Sequence, residues 1–420
     1  MNSIIFEQNL HVMRWVLFTI VYIFLVVYGF QAIKTLTKNK WIHIAFIGLA
    51  LLVVGNFVFE FAIATNEKVL TQPKSEAFGF LLAFMSFSLV IAPILFSEDI
   101  VRFFAGVYHK FSPSKKNFHV PSRRKFISQI ALGIAAIPFS SLLYGMFKGK
   151  YDFRVLTYKL YFDDLPQAFD GYKITQISDI HSGSFDDREK IEYAVNLVNE
   201  QKSNAIFFTG DMVNNKASEM LPWKDVFSKL KAADGKFSVL GNHDYGDYVD
   251  WGNEETKRRN LEQLKDIQKD MGFDLLLNES RFIEKNGERI ALLGVENWGR
   301  GPFKKAGDLK KAAQHIEKED FKILLSHDPS HWEDVVISDD YKYHLTLSGH
   351  THGMQFGIEI PGWVKWSPIK WRYKYWAGIY KEMGQYINVN RGFGYLGYPG
   401  RVGIWPEITV IELKKGKALT

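Results

Sequence analysis

The chain contains no cysteine among its 420 residues. Disulfides, thiolate zinc sites, iron–sulfur clusters and cysteine nucleophiles are all excluded, so any bound metal is held by nitrogen and oxygen. Acidic residues are scarce in one place only. Residues 1–150 carry 15 Lys and Arg against 6 Asp and Glu, whereas the remaining 270 carry 37 against 40. The surplus that makes the whole chain +6 therefore lies in the first third, and the acidic balance of the rest argues against a nucleic-acid partner. A chain of 48.5 kDa with 47% hydrophobic and 23% charged residues is neither disordered nor collagen-like, and its length predicts more than one structural unit.

Residues 1–150 are dominated by four apolar stretches, 15–33, 41–64, 78–96 and 126–147. Each approaches the ~20 residues that cross ~30 Å of hydrocarbon as a helix. They are apolar nearly all round, unlike the one-sided helices of a soluble domain. Glu60 falls near the end of the second stretch, at an interfacial position, while Pro93 and Pro138 are kinks that membrane helices tolerate. The first connection holds Lys34, Lys38 and Lys40 without an acid. The second balances Lys68 and Lys74 with Glu67 and Glu76, and the third sets seven basic residues against Glu98 and Asp99. Positive-inside counting places the first and third connections in the cytoplasm and everything after Phe147 outside. Ser122-Arg123-Arg124-Lys125-Phe126-Ile127 has the form of a twin-arginine export signal set internally; the same charges also read as simple positive-inside residues.

From Tyr151 the pattern changes to short apolar runs alternating with amphipathic helices, a layered α/β domain over 151–420. Five runs predict strands: Tyr172–Ser178, Ala205–Thr209, Phe237–Leu240, Phe321–Ser326 and Leu345–Ser348. Each ends in residues that ligate metals: Asp179-Ile180-His181, Gly210-Asp211, Gly241-Asn242-His243-Asp244, His327, and Gly349-His350-Thr351-His352-Gly353. Ligands gather beyond the carboxyl ends of strands in such folds. A Gly-Asp after a strand is by itself an ordinary turn; five consecutive strand ends delivering Asp, Asn or His point to a divalent-metal site. One helix candidate has Asp186 as its cap and Ile191, Ala194, Val195 and Val198 on one face; another aligns Leu261, Leu264, Ile267 and Met271 and stops at Gly272.

This ordered set resembles the calcineurin-like metallophosphoesterase superfamily, and the tail Asn390-Arg391-Gly392-Phe393-Gly394, Arg401 and Pro406-Glu407-Ile408 resembles its membrane-tethered bacterial branch. The resemblance implies a four-layer αββα sandwich behind a four-helix transmembrane region, in a bacterial cytoplasmic membrane with the catalytic domain extracytoplasmic. It implies two divalent cations (manganese, iron, zinc or cobalt), one held by Asp179, His181, Asp211 and His352. The other falls to Asp211, Asn242, His327 and His350, with Asp211 bridging. A bridging carboxylate lets two cations stand ~3.5–4 Å apart and acidify a shared water, so that a metal-bridging hydroxide attacks phosphorus. His243 takes the role of protonating the leaving oxygen or steadying the transition-state charge, and Asp244 either orients His243 or caps the next turn. His11, His43, His109, His119, His315, His331 and His344 fall off the motif positions and are expected to be structural. One departure is Met354, which stands where relatives of this branch carry a second glycine before Gln355.

Residues 361–376 hold four Trp, two Tyr and four basic residues. Such interleaving suits a membrane interface, a nucleic-acid stacking platform or a core strand with alternating faces. The export reading and the membrane tether disfavour the second. The expected function is a membrane-anchored phosphoesterase acting on phosphodiester or pyrophosphate bonds of lipid or lipid-linked nucleotide substrates, with membrane lipids as partners. The alternatives are a phosphomonoesterase for soluble substrates and a non-hydrolytic membrane sensor with an inherited fold.

Overall fold

The computed structural model describes residues 2–64, 69–111, 121–360 and 362–417, without the side chains of residues 2–12, 109, 121 and 122. The loop charges Glu67, Lys68, Lys115 and Lys116, together with Ser122, His11, His109, His119 and Pro361, lie outside the described residues or side chains. The chain divides into two compact units, Met1–Asn66 with Pro73–Tyr144, and Glu67–Gln72 with Gly145–Thr420.

The first unit is built from α1 (Asn2–Leu36), α2 (Lys40–Val58), α3 (Gln72–Phe111) and most of α4 (Pro121–Phe147). Among the described residues all four are long and apolar enough to cross a membrane. Asn39 starts α2 by accepting from the Trp41 amide at 2.9 Å. A π-turn, Phe59–Ile63, carries Glu60 near its start. The third helix runs well past the predicted stretch 78–96, through the charged Glu98 and Asp99. Its continuation has a physical reason. The buried Arg124 guanidinium donates to Glu98 and Asp99, each at 2.7 Å, and to Gln31 at 2.8 Å. The second arginine of the Arg-Arg pair thus neutralises the acids that interrupt the apolar run.

The second unit contains β1 (Arg154–Phe162), β2 (Lys173–Ile177), β3 (Ala205–Phe208), β4 (Lys236–Ser238), β5 (Phe273–Leu275), β6 (Glu279–Lys285) and β7 (Glu288–Gly294). These are followed by β8 (Lys322–Leu325), β9 (Leu345–Ser348), β10 (Ile358–Ile360), β11 (Val364–Trp366), β12 (Gly378–Glu382), β13 (Gln385–Val389) and β14 (Glu407–Lys415). One sheet has the order β1-β14-β2-β3-β4-β5, the other β12-β13-β9-β8-β7-β6, and β10–β11 is a separate hairpin. All five predicted strands form. β2, β3 and β4 are parallel neighbours in the first sheet, and β8 and β9 are parallel neighbours in the second. Their carboxyl ends therefore point the same way within each sheet.

Ile174, Phe207, Leu292, Ile323, Leu347 and Ile411 belong to the apolar layer between the sheets. Gln176 crosses it, donating to the Ser348 carbonyl at 2.9 Å and accepting from Asn388 at 2.7 Å. These bonds fix the relative register of the two sheets, because a slip would leave buried amides unpaired. Helix α5 (Arg188–Glu200) covers the first sheet with Ile191, Ala194, Val195 and Val198, all buried. Its cap is Asp187, not Asp186: Asp187 accepts from the Lys190 amide, whereas Asp186 binds Lys150 and Tyr151. The helix Glu254–Asp270 packs on the same side through Leu264 and Ile267 and stops before Gly272, whose φ is +82°. Trp332, Val336 and Tyr343 cover the second sheet, completing four layers.

Candidate metal centre

The loops after the five strands bring all seven predicted ligands to one place. Asp179, His181 and His352 form one group, and Asp211, His327 and His350 a second; within each, one ligand atom per residue lies within 4.8 Å of the others. Asp211 sits between them, its Oδ2 3.2 Å from His327 Nε2 and 3.6 Å from His181 Nε2. Asn242 joins the second group through Oδ1, 2.8 Å from His350 Nδ1, while its amide nitrogen donates to the Tyr248 hydroxyl at 2.9 Å. That bond turns the carbonyl oxygen toward the site.

The backbone here is strained. Asp179, His181, Asp211, His350 and His352 all adopt positive φ, between 48° and 71°. The left-handed region costs a non-glycine residue ~1–2 kcal/mol, and such outliers concentrate where function dictates side-chain direction. Two glycines make the crowding possible. A Cβ at Gly241 would collide with the Asp211 carboxylate, and one at Gly349 with Ser178 Oγ and Asp179 Oδ2.

Whether these side chains fit a cation is decided by their unmet valences. Both nitrogens of the buried His181 lack a hydrogen-bond partner, as do Nε2 of His327 and Nε2 of His352. Each orphaned polar atom costs ~1–3 kcal/mol unless something else satisfies it. His327 Nδ1 is 2.7 Å from the Thr209 carbonyl, which only accepts, so Nδ1 carries a proton and Nε2 is the nitrogen left to face Asp211. His350 has Tyr373 Oη at 2.8 Å and Asp328 Oδ2 at 3.3 Å from its Nε2, which directs Nδ1 inward. Burial alone would raise the Asp179 and Asp211 carboxyls, but the facing histidines outweigh it and hold both well below the usual carboxylate range. Burial, with His352 alongside, pushes the His181 imidazole down, keeping it a neutral donor. Carboxylate oxygens and imidazole nitrogens in this ratio suit divalent manganese, iron, cobalt or zinc.

His243 lies at the edge of the pair, its ring centroid 4.9 Å from that of His181. Its Nδ1 donates to the Asn214 carbonyl at 2.7 Å, so a second proton, when the ring carries one, sits on Nε2 toward the site. Asp244 does not orient it. The buried Asp244 carboxylate accepts from the amides of Asp211 at 2.9 Å, Met212 at 2.8 Å and Gly241 at 2.8 Å. It clamps two ligand loops together, since three converging N–H groups leave its oxygens no reach toward His243. The remaining described histidines are structural: His43 bonds the Thr37 carbonyl, His331 Ser326, and His344 Asp164 and the Lys322 amide, while His315 is exposed.

Several contributors had no signal in the sequence. Asn214 is held by Glu219, which accepts from the amides of Asn214 at 2.6 Å and Lys216 at 3.1 Å. Arg401, completely buried, donates to the carbonyls of Gly394 and Arg391 and stands 3.3 Å from His352 Nδ1. Arg401 lies in the conspicuous tail, but only its contact with His352 links it to the site. The segment 361–376 divides: Trp363 and Trp371 are exposed, whereas Tyr373, Tyr375 and Trp376 are buried.

Residues 172–354 match the family model described as calcineurin-like phosphoesterase, and residues 13–150 the model described as probable calcineurin-like phosphoesterase, transmembrane domain. The uncharacterized metallophosphoesterase YkuE of Bacillus subtilis (strain 168) is 30% identical over 256 residues, 60% of this chain and 82% of that one. A transmembrane protein with metallophosphoesterase domain from Danio rerio is 26% identical, over 65% of this chain and 60% of that one. Among solved structures, the phosphopantetheinyl hydrolase of Mycobacterium tuberculosis aligns with 11% identity and a TM-score of 0.33, covering 55% of this chain and 91% of that one. With its ligand residues in order at five strand ends and four apolar helices ahead of them, the chain belongs to the calcineurin-like metallophosphoesterases.

Proposed function

We propose that this protein is a membrane-anchored, two-metal phosphoesterase that hydrolyses phosphodiester or pyrophosphate bonds of lipid or lipid-linked substrates on the outer side of a bacterial cytoplasmic membrane. The observation that carries the reading is the pair of ligand groups sharing Asp211, with orphaned histidine nitrogens aimed between them. When bound, two divalent cations supply the positive charge that draws in a phosphate oxygen and acidifies a water.

The protein's own groups then have distinct tasks. Asp211, held low by its histidines and fixed by the His243 amide at 2.8 Å, keeps a full negative charge between the two sites. His243 Nε2 gives its proton to the leaving oxygen as the phosphorus–oxygen bond breaks, its ring held by the Asn214 carbonyl. Tyr373 and Asp328 hold His350, and Arg401 stands against His352, so the ligands are positioned before substrate arrives. The basic first and third connections support the outward orientation, and the four apolar helices keep the domain beside the bilayer, which favours an amphiphilic substrate.

The test is an activity screen of the full-length protein across lipid phosphates, nucleotide-linked lipids and soluble esters with added manganese, beside metal analysis of wild type and Asp211→Asn. The proposal expects two cations per chain, hydrolysis of a lipid-linked diester or pyrophosphate, and loss of metal and rate together in the variant. Equal turnover of soluble monoesters would favour the phosphomonoesterase reading. Full metal content with no hydrolysis of any ester would favour a sensor.

A further inference from the structure

Among the described residues of the second unit, a run of exposed apolar side chains lies directly after the ligand His352. Met354, Phe356, Ile358, Ile360, Trp363 and Trp371 are all exposed, Trp363 by 80% and Trp371 by 76%. Ile358 and Ile360 alternate along β10 and so share a face, which in a soluble sheet would be turned inward. β10 pairs only with β11, Ile358 opposite Trp366 and Ile360 opposite Val364, so the hairpin belongs to neither large sheet. Lys370 and Arg372 stand exposed beside these rings.

Met354 adds a second observation. Its φ is +56°, a conformation that glycine adopts freely and methionine only at a cost, yet its side chain is exposed. A strained position that holds an exposed apolar side chain gains nothing for the core. It makes sense where the side chain has an apolar surroundings to enter.

The hairpin's place in the second unit identifies that surroundings. The last long helix ends at Phe147, and the residues around that end, which belong to the second unit, pack on Arg401: the Arg401 amide donates to the Gly145 carbonyl at 3.2 Å, and Gly149 also abuts the Arg401 carbonyl. The next residue, Val402, donates to Gln355 at 2.8 Å and accepts from Gly357 at 2.9 Å. The root of the hairpin is thus joined by two hydrogen bonds, through Arg401 and Val402, to residues 145–149 of the same unit, where the chain leaves a helix fit to cross a membrane.

We infer that the hairpin β10–β11, with Met354, Phe356, Trp363 and Trp371 beside it, dips into the membrane and inserts its apolar side chains into the bilayer, with Lys370 and Arg372 at the level of lipid phosphates, and so presents lipid head groups to the metal centre. Aromatic and aliphatic side chains flanked by cations match an anionic lipid interface. The same segment continues into Tyr373, whose hydroxyl meets His350, so the surface that meets lipid is joined to the site by a few residues of chain. This deepens the proposed function, on whose membrane anchorage it rests, by giving the substrate's route.

The absence of cysteine makes the test direct. Single variants Ile360→Cys, Trp363→Cys and Trp371→Cys, with Glu262→Cys on the helix Glu254–Asp270 as the water-exposed control, are spin-labelled in the full-length protein. They are reconstituted in vesicles of phosphatidylglycerol and phosphatidylethanolamine. Accessibility to oxygen relative to a nickel chelate is then measured for each label. The expected oxygen-to-nickel ratio at 360, 363 and 371 exceeds the control by about threefold or more, as for residues below the head groups. Ratios equal to the control would overturn the inference, and so would labels shielded from both reagents, which would mean a second copy or a protein partner covers the hairpin. Neither readout needs hydrolysis, so a failed activity screen and a failed insertion are told apart.

Discussion

Replacing Asp244 separates a catalytic role from a clamping one. Its Oδ2 accepts from the amides of Asp211 and Gly241 and its Oδ1 from those of Met212 and Val213, the last at 3.4 Å. Hydrogen bonds to a charged group contribute ~1.5–3 kcal/mol each, and each buried N–H left bare costs ~1–3 kcal/mol. Three good bonds would give well over 5 kcal/mol, but burial and the charge of Asp211 oppose the ionised form and push the Asp244 carboxyl up to about 7. That repulsion offsets part of the gain, so Asp244→Ala is expected to lose about 3 kcal/mol of stability, a large share of the ~5–15 kcal/mol of a typical domain. Asp244→Asn is nearly as damaging, since donors face both oxygens and an amide presents an acceptor on one side only. The assay is denaturant unfolding of the full-length protein in detergent, paired with metal analysis. Both variants should shift the midpoint down and release metal, because Asp211 loses its anchor. A wild-type midpoint and metal content with turnover alone abolished would refute the clamp and restore Asp244 as a catalytic group.

Three further outcomes follow from the same contacts. His243→Ala should retain both metals while turnover falls by ~10²–10⁴, the usual range for a lost general acid; an unchanged rate would dismiss that role. Arg124→Gln removes the buried cation that Glu98 and Asp99 share and should cost about 3–5 kcal/mol, read as a lower melting temperature in detergent, with Arg124→Lys recovering part of it. An unshifted melting temperature would show that the pair is not a fastener between helices. Burial pushes the imidazoles of His331 and His344 down to about 4. The unfolded chain takes up protons from ~6.5 downward while the folded one resists, so stability should be complete above pH 6.5 and fall as pH drops toward 4. The loss approaches about 3 kcal/mol per histidine; a flat unfolding profile across that window, or one that His344→Gln leaves unchanged, would contradict it.

The strands and the ligand residues were legible because both are local. An apolar run ending in glycine, aspartate or histidine is visible in six letters, and all five such runs form strands close to the predicted bounds. The apolar helices were equally visible, except that α3 ran past 96, because the neutralising Arg124 lies 25 residues beyond Asp99. Asp186 and Asp187 could not be ranked as caps from sequence, since the choice depends on which carboxylate Lys150 and Tyr151 capture. The aromatic segment resolved into exposed Trp363 and Trp371 and buried Tyr373, Tyr375 and Trp376, a division that packing imposes and composition does not contain.

What the amino-acid order settled by itself was a cysteine-free nitrogen and oxygen donor set, its placement at strand ends, and four helices too apolar for water. Which atoms face one another was settled by tertiary structure alone. Asp211 meets His327 across 116 positions, His243 finds its carbonyl at Asn214, and Arg401 reaches His352 from a distant loop. Periodicity reports only neighbours along the chain, whereas the charge and proton placement of a metal site depend on contacts made between strands of two sheets.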